Sequence, residues 1–121
     1  MNKKLLIALP ACLLLIEGAP ELTAQDACAP MEVPPVCQPA ARITINNQAH
    51  TIAPPNICAA PGQVIDVNVV PSGTAQIVGK SGWPAGGGSS FTITAPERAG
   101  EYDYDVYFGD GSCIDPRITV N

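Results

Sequence analysis

The chain has 121 residues, of which 46% are apolar and 14% charged, with 13 prolines, 11 glycines, five cysteines and a formal charge of −5. That length fits one domain. The acidic balance excludes nucleic acid as a partner, because neutralising phosphates takes clustered Lys and Arg. Thirteen prolines exclude a helical bundle, since each fixes φ and removes a backbone donor.

Lys3 and Lys4 precede an almost unbroken apolar run from Leu5 to Ile16, followed by the small-residue stretch Leu22-Thr23-Ala24-Gln25. This pattern is that of a secretory signal peptide over residues 1–25, with cleavage near Ala24 or Gln25. The run is too short to cross a bilayer as a helix, so no transmembrane anchor is expected. A lipoprotein box at Leu9-Pro10-Ala11-Cys12 is the rival reading, disfavoured because four apolar residues follow Cys12 where a polar tether belongs. Removing the leader leaves 96 residues and no leucine. An Ile/Val/Thr-rich remainder punctuated by Pro and Gly predicts an all-β domain that is periplasmic or secreted.

Residues 26–41 hold Pro30, Pro34, Pro35 and Pro39 and read as an extended arm without regular structure. Strand signals then follow at short intervals. Ile43 and Ile45 alternate with polar neighbours; His50-Thr51-Ile52 and Ile57-Cys58 come next, and Pro61-Gly62 is a strong turn. Ile65, Val67 and Val69 mark the clearest period-two strand, and Ile77-Val78 a short one. Residues 79–90, with Trp83-Pro84 and Gly86-Gly87-Gly88, read as a loop. Phe91 and Ile93 share a face. From Glu101 to Phe108, Tyr102, Tyr104, Val106 and Phe108 alternate with Glu101, Asp103, Asp105 and Tyr107, which predicts a half-buried strand with an acidic outer face. After Gly109-Asp110-Gly111, Ile114, Ile118 and Val120 predict a final strand entered through Pro116. About seven short strands in residues 42–121 indicate a Greek-key sandwich or open barrel.

Export leaves Cys28, Cys37, Cys58 and Cys113, an even number in an oxidising compartment, so two disulfides are expected in one of three connectivities. The short spacing within the arm favours Cys28 with Cys37. Metal ligation by these cysteines lacks a CxxC pair and a second histidine.

The carboxyl-terminal third carries Phe91-Thr-Ile-Thr-Ala-Pro96, Ala99-Gly-Glu-Tyr-Asp-Tyr104 and Ile118-Thr-Val-Asn121, and Ala60-Pro-Gly-Gln-Val64 turns into a central strand. These stretches resemble the cupredoxins over residues 42–121. With Asp115-Pro-Arg-Ile-Thr-Val120 the chain is most similar to small exported bacterial domains of that type. The resemblance implies a cupredoxin-like Greek-key β-sandwich. It also implies positions for a type 1 copper site, which needs two histidines, a thiolate and usually a methionine. Those positions fall at Val106 or its neighbour, near Gly109, near Cys113 or Ile114, and in the loop after Val70, and none holds the expected ligand. Met31, in the arm, is the one methionine left after cleavage. The resemblance further implies that the second and last strands run side by side and parallel, which suggests a Cys58–Cys113 bridge with Cys28–Cys37 as the other.

Six carboxylates, Glu97, Glu101, Asp103, Asp105, Asp110 and Asp115, crowd 19 residues. A hard-cation site would use them, but the EF-hand spacing is absent, and they read as a solvated strand face with turn residues. His50, the one histidine, lacks nearby partners and reads as a surface or packing residue. No Gly-x-Ser-x-Gly elbow accompanies it, so no enzyme is expected. Gly79-Lys80-Ser81 mimics the end of a P-loop without its spacing or a following helix. Trp83 reads either as a partner contact on a mobile loop or as a lid over the end of the sandwich. The expectation is therefore a non-enzymatic exported domain without a cofactor or type 1 copper, which binds an unknown protein or envelope component or has a structural role there. The alternative is a metal-handling module for copper or calcium that uses His50, the carboxylates or Met31.

Overall fold

The computed structural model describes residues 28–80 and 83–121. The expected leader lies outside them, as does the Ser81 of the P-loop mimic. Eleven short strands form two sheets, in place of the seven or so expected. They are β1 (Gln38–Pro39), β2 (Arg42–Asn46), β3 (Thr51–Ala53), β4 (Asn56–Ala59), β5 (Val64–Val70), β6 (Ala75–Gly79), β7 (Ala85–Gly88), β8 (Ser90–Thr94), β9 (Gly100–Tyr107), β10 (Cys113–Ile114) and β11 (Arg117–Val120). One sheet runs β1-β4-β11-β9-β6-β7, with β10 also on β9; the other runs β3-β2-β5-β8.

Branched side chains on alternate positions build the core between these sheets. From one sheet come Ile43, Ile45, Ile65, Val67 and Ile93; from the other Ile57, Ile77, Tyr104, Val106, Ile118 and Val120, all fully or almost fully buried. Strand β9 follows the predicted alternation from Tyr102 through Phe108, with Glu101 and Asp103 facing solvent. It pairs through Gly100–Asp103 with β11, then through Val106 and Tyr107 with β10. Ile114 is thus separated from the final strand, because Asp115-Pro116 interrupts the ladder and Pro116 supplies no N–H. Tyr102 donates its hydroxyl to the Arg98 carbonyl four residues upstream, 2.9 Å away, which fixes the corner into β9.

The segment expected to be an irregular loop contains β7. Its glycines pair with β6, Gly86 opposite Ile77 and Gly88 opposite Ala75. A Cβ at Gly86 would lie 2.9 Å from the Phe91 ring, so the missing side chain is what lets β8 pack over β7. The arm also differs from expectation. Ala29 bridges to Ile114, and β1 adds to the sheet parallel to β4, Pro39 opposite Cys58. Its proline density prevents a long strand, and a two-residue ladder is what survives. Asn56, almost fully buried, donates to the Pro34 carbonyl (2.8 Å) and accepts from the Thr119 hydroxyl (2.8 Å), tying arm, β4 and β11 together. Pro34, Pro35 and Pro39 on one sheet's edge, and Pro54-Pro55 after β3 on the other's, discourage edge-to-edge pairing.

The disulfides pair Cys28 with Cys113 and Cys37 with Cys58. This corrects the expected Cys28–Cys37 and Cys58–Cys113 pairs. Strands β4 and β11 do lie parallel, but their register sets Cys58 opposite Thr119, six positions beyond Cys113. The arm then decides both pairs: β1 carries Cys37 to Cys58, and the Ala29 bridge carries Cys28 to Cys113, with Cα separations of 5.0 and 4.9 Å.

Candidate functional site

Two ends of the sandwich bring polar and aromatic side chains together. At one end, the turn after β2, the loop between β5 and β6, and the turn after β9 converge. Asn47 links all three. Its Nδ2 donates to the carbonyls of Ser72 and Thr74, both at 3.0 Å, while the Gly109 N–H donates to its Oδ1 at 3.0 Å. One amide side chain therefore fixes three backbone segments. Asn46 caps the same turn by accepting from the N–H groups of Gln48 and Ala49.

His50 closes that turn with φ of 57°, a left-handed conformation in which His is tolerated better than most side chains. Its ring sits 4.9 Å from the Phe108 ring, and its Nε2 lies 3.0 Å from Asp110 Oδ2. Asp110 also accepts from the hydroxyl and the N–H of Ser112, and these bonds hold its carboxyl below the usual carboxylate range. Cys113, next along, is bonded to Cys28. Val106 and Ile114 point into the core. The Pro71-Ser72-Gly73-Thr74 loop offers its carbonyls to Asn47. A shallow cleft of about 400 Å³ runs from this end across Gln76, Gly87 and Tyr107.

The other end is built by the hairpin between β6 and β7. Gly79 makes it possible: a Cβ there would coincide with the Trp83 carbonyl, and the Gly79 N–H donates to Pro84 O at 2.6 Å. The chain folds back so closely that Trp83 lies half-buried against the core, its ring 5.3 Å from that of Tyr102. Either role weighed for Trp83 is compatible with this packing, since the ring contacts the core and stays partly exposed. The indole Nε1 is buried and has no hydrogen-bond partner, so the ring turns carbon toward solvent. Beside it, Lys80 lies 3.0 Å from Asp105 and 3.6 Å from Asp115, and Arg117 lies 2.9 Å from Asp103 and 3.6 Å from Glu101. The Asp105 hydrogen bond raises the Lys80 pKa, and burial raises that of Asp115. The acidic face is thus interlocked with two cations. Among the described residues, no three His, Cys, Asp or Glu side chains group to hold a metal ion.

Sequence reasoning singled out His50, Trp83 and the carboxylates, read Lys80 only within a P-loop mimic and Tyr102 only as a strand position, and passed over Asn47 and Arg117. Asn47 could not be found locally, since its partners lie 25, 27 and 62 residues away.

No protein-family model and no curated protein matches the chain. Among solved structures, it is similar to a novel purple cupredoxin from Nitrosopumilus maritimus at 19% identity and a TM-score of 0.50, over 68% of this chain and 100% of that one. A mutant amicyanin in a reduced Cu(I) form matches at 16% identity and a TM-score of 0.47, over 72% and 87%. The fold is a cupredoxin-like β-sandwich stapled by two disulfides.

Proposed function

We propose that the chain is an exported, non-enzymatic domain with a binding or structural role in the cell envelope, built on a cupredoxin-like fold without a type 1 copper centre. The observation that carries this reading is the fate of Cys113, at the Asn47 end, whose sulfur is joined to that of Cys28. A type 1 centre needs a free thiolate and two imidazoles. Here Val106 is buried hydrocarbon, Gly109 gives its N–H to Asn47, and the single imidazole of His50 faces Asp110. The residues present do not fit a type 1 copper centre.

Export is supported by the leader pattern and by two disulfides, which persist in oxidising compartments. Among the described residues no helix is long and apolar enough to cross a membrane. His50 and the carboxylates of the acidic strand are exposed or ion-paired, which supports a non-enzymatic reading. Titration of the purified mature protein with Cu(I), Cu(II), Zn(II) and Ca(II), followed by calorimetry and absorbance, tests the proposal. The expected result is no stoichiometric tight binding. One equivalent of tightly bound copper or calcium overturns it in favour of a metal-handling module.

A further inference from the structure

The hairpin that Gly79 folds back over β6 leaves a cleft of about 240 Å³ beside the Trp83–Tyr102 ring pair, lined also by Lys80, Glu101 and Asp103. Three properties define what it can hold. Its floor is apolar, because the indole nitrogen is buried and the Tyr102 hydroxyl is taken by the Arg98 carbonyl. Its rim carries exposed acceptors, Glu101 (59% exposed) and Asp103 (48%), facing an exposed donor, Lys80 (46%). The rim charges offset one another: Arg117 bridges both carboxylates, and Lys80 is held by Asp105 and Asp115.

A phosphate or other anion would meet Glu101 and Asp103, and an ammonium or guanidinium would meet Lys80 and Arg117; each finds like charge at the rim. A flat neutral molecule with one apolar face and several hydroxyls meets no such opposition. Its carbon face covers the aromatic floor, and its hydroxyls donate to carboxylates and accept from an ammonium, the stronger charge-assisted kind of hydrogen bond. We infer that the Trp83–Tyr102 cleft is a binding site for a neutral sugar ring of a glycan. The inference rests on the binding reading above and gives it a ligand class.

Trp83 is the one tryptophan of the chain, so its emission reports on this cleft alone. The purified mature protein is titrated with glucose, galactose, mannose and N-acetylglucosamine and their di- and trisaccharides. Inorganic phosphate and arginine methyl ester serve as the anionic and cationic probes. The expected result is a saturable change with at least one neutral sugar, at a Kd of about 1 mM or tighter. Neither charged probe should saturate. Glu101→Gln should weaken sugar binding about tenfold or more; Glu101 holds only the looser, 3.6 Å contact to Arg117, so its loss leaves the Asp103–Arg117 pair in place. Lys80→Gln, on the opposite rim, should weaken it as well. Absence of a saturable response to every sugar, or saturation by phosphate or arginine methyl ester, overturns the inference. Metal binding is read in a separate titration, without sugar present. A sugar response beside bound copper therefore sinks only the copper-free reading, and neither response sinks only the sugar site.

Discussion

Replacing Cys28 and Cys113 together by serine will remove more stability than replacing Cys37 and Cys58. The bridges close loops with sequence separations of 85 and 21 residues. If a disulfide acts mainly by restricting the unfolded chain, the longer loop contributes about 4.6 kcal/mol alone and the shorter about 3.4 kcal/mol. The shorter loop lies inside the longer one and shortcuts it. With the other bridge intact, removal of Cys28–Cys113 then costs about 4.3 kcal/mol and removal of Cys37–Cys58 about 3.1 kcal/mol. A domain of this size has a total stability on the order of 5–14 kcal/mol. The first variant should therefore unfold about 2 M earlier in urea, and the second about 1.5 M earlier. Equilibrium urea denaturation followed by Trp83 emission gives both numbers, and a non-reduced peptide map gives the pairing. A larger loss for the Cys37/Cys58 variant refutes the loop argument. Cys28 recovered on a peptide with Cys37 refutes the pairing.

Asn56→Ala removes two partly buried hydrogen bonds, to the Pro34 carbonyl and from the Thr119 hydroxyl; thermal unfolding should show a loss of about 1–3 kcal/mol. Tyr104 is completely buried with an unpartnered hydroxyl, and burial pushes its pKa far above the usual phenol range. Tyr104→Phe should raise stability by about 1 kcal/mol, measured in the same way. Gly79→Ala places a Cβ on the Trp83 carbonyl, so the hairpin must open; Trp83 emission should shift to the red, with a loss of about 1–3 kcal/mol. For pH, the Asp110 carboxyl titrates below its ordinary value of 3.8, chiefly through the Ser112 hydroxyl. Its stabilisation is present above that value and lost as pH falls through the lower, folded one. Asp110→Ala should therefore destabilise at pH 7 and unfold with a shallower acid limb than the parent, as read by denaturation midpoints between about pH 2 and 7.

The ladder of β9 shows how much the sequence alone determined. Alternation of Tyr104, Val106 and Phe108 with acidic residues assigns each side chain a face without knowledge of any partner strand, because the strand period is two. The same logic placed Ile43 and Ile45, Ile65 to Val69, and Ile118 with Val120, and the lack of leucine outside the leader excluded helices. Composition and strand spacing reached an all-β sandwich or barrel, and the resemblance of the quoted motifs added that it is cupredoxin-like.

Register, close approach and pairing were decided only in three dimensions. Strand β7 escaped notice because Gly86, Gly87 and Gly88 carry no pattern; they become a strand through β6 beside them and Phe91 above. The disulfides followed the docking of the arm, since Pro39 lies opposite Cys58 and Ala29 opposite Ile114. Nothing in the cysteine spacing encodes that register. Asn47 drew no notice until folding brought Ser72, Thr74 and Gly109 within hydrogen-bond reach. Hydrophobic periodicity is a local property and survives in one dimension. The hydrogen bonds of Asn47 and the two bridges join residues 21 to 85 positions apart, and only the packed sheets bring those together.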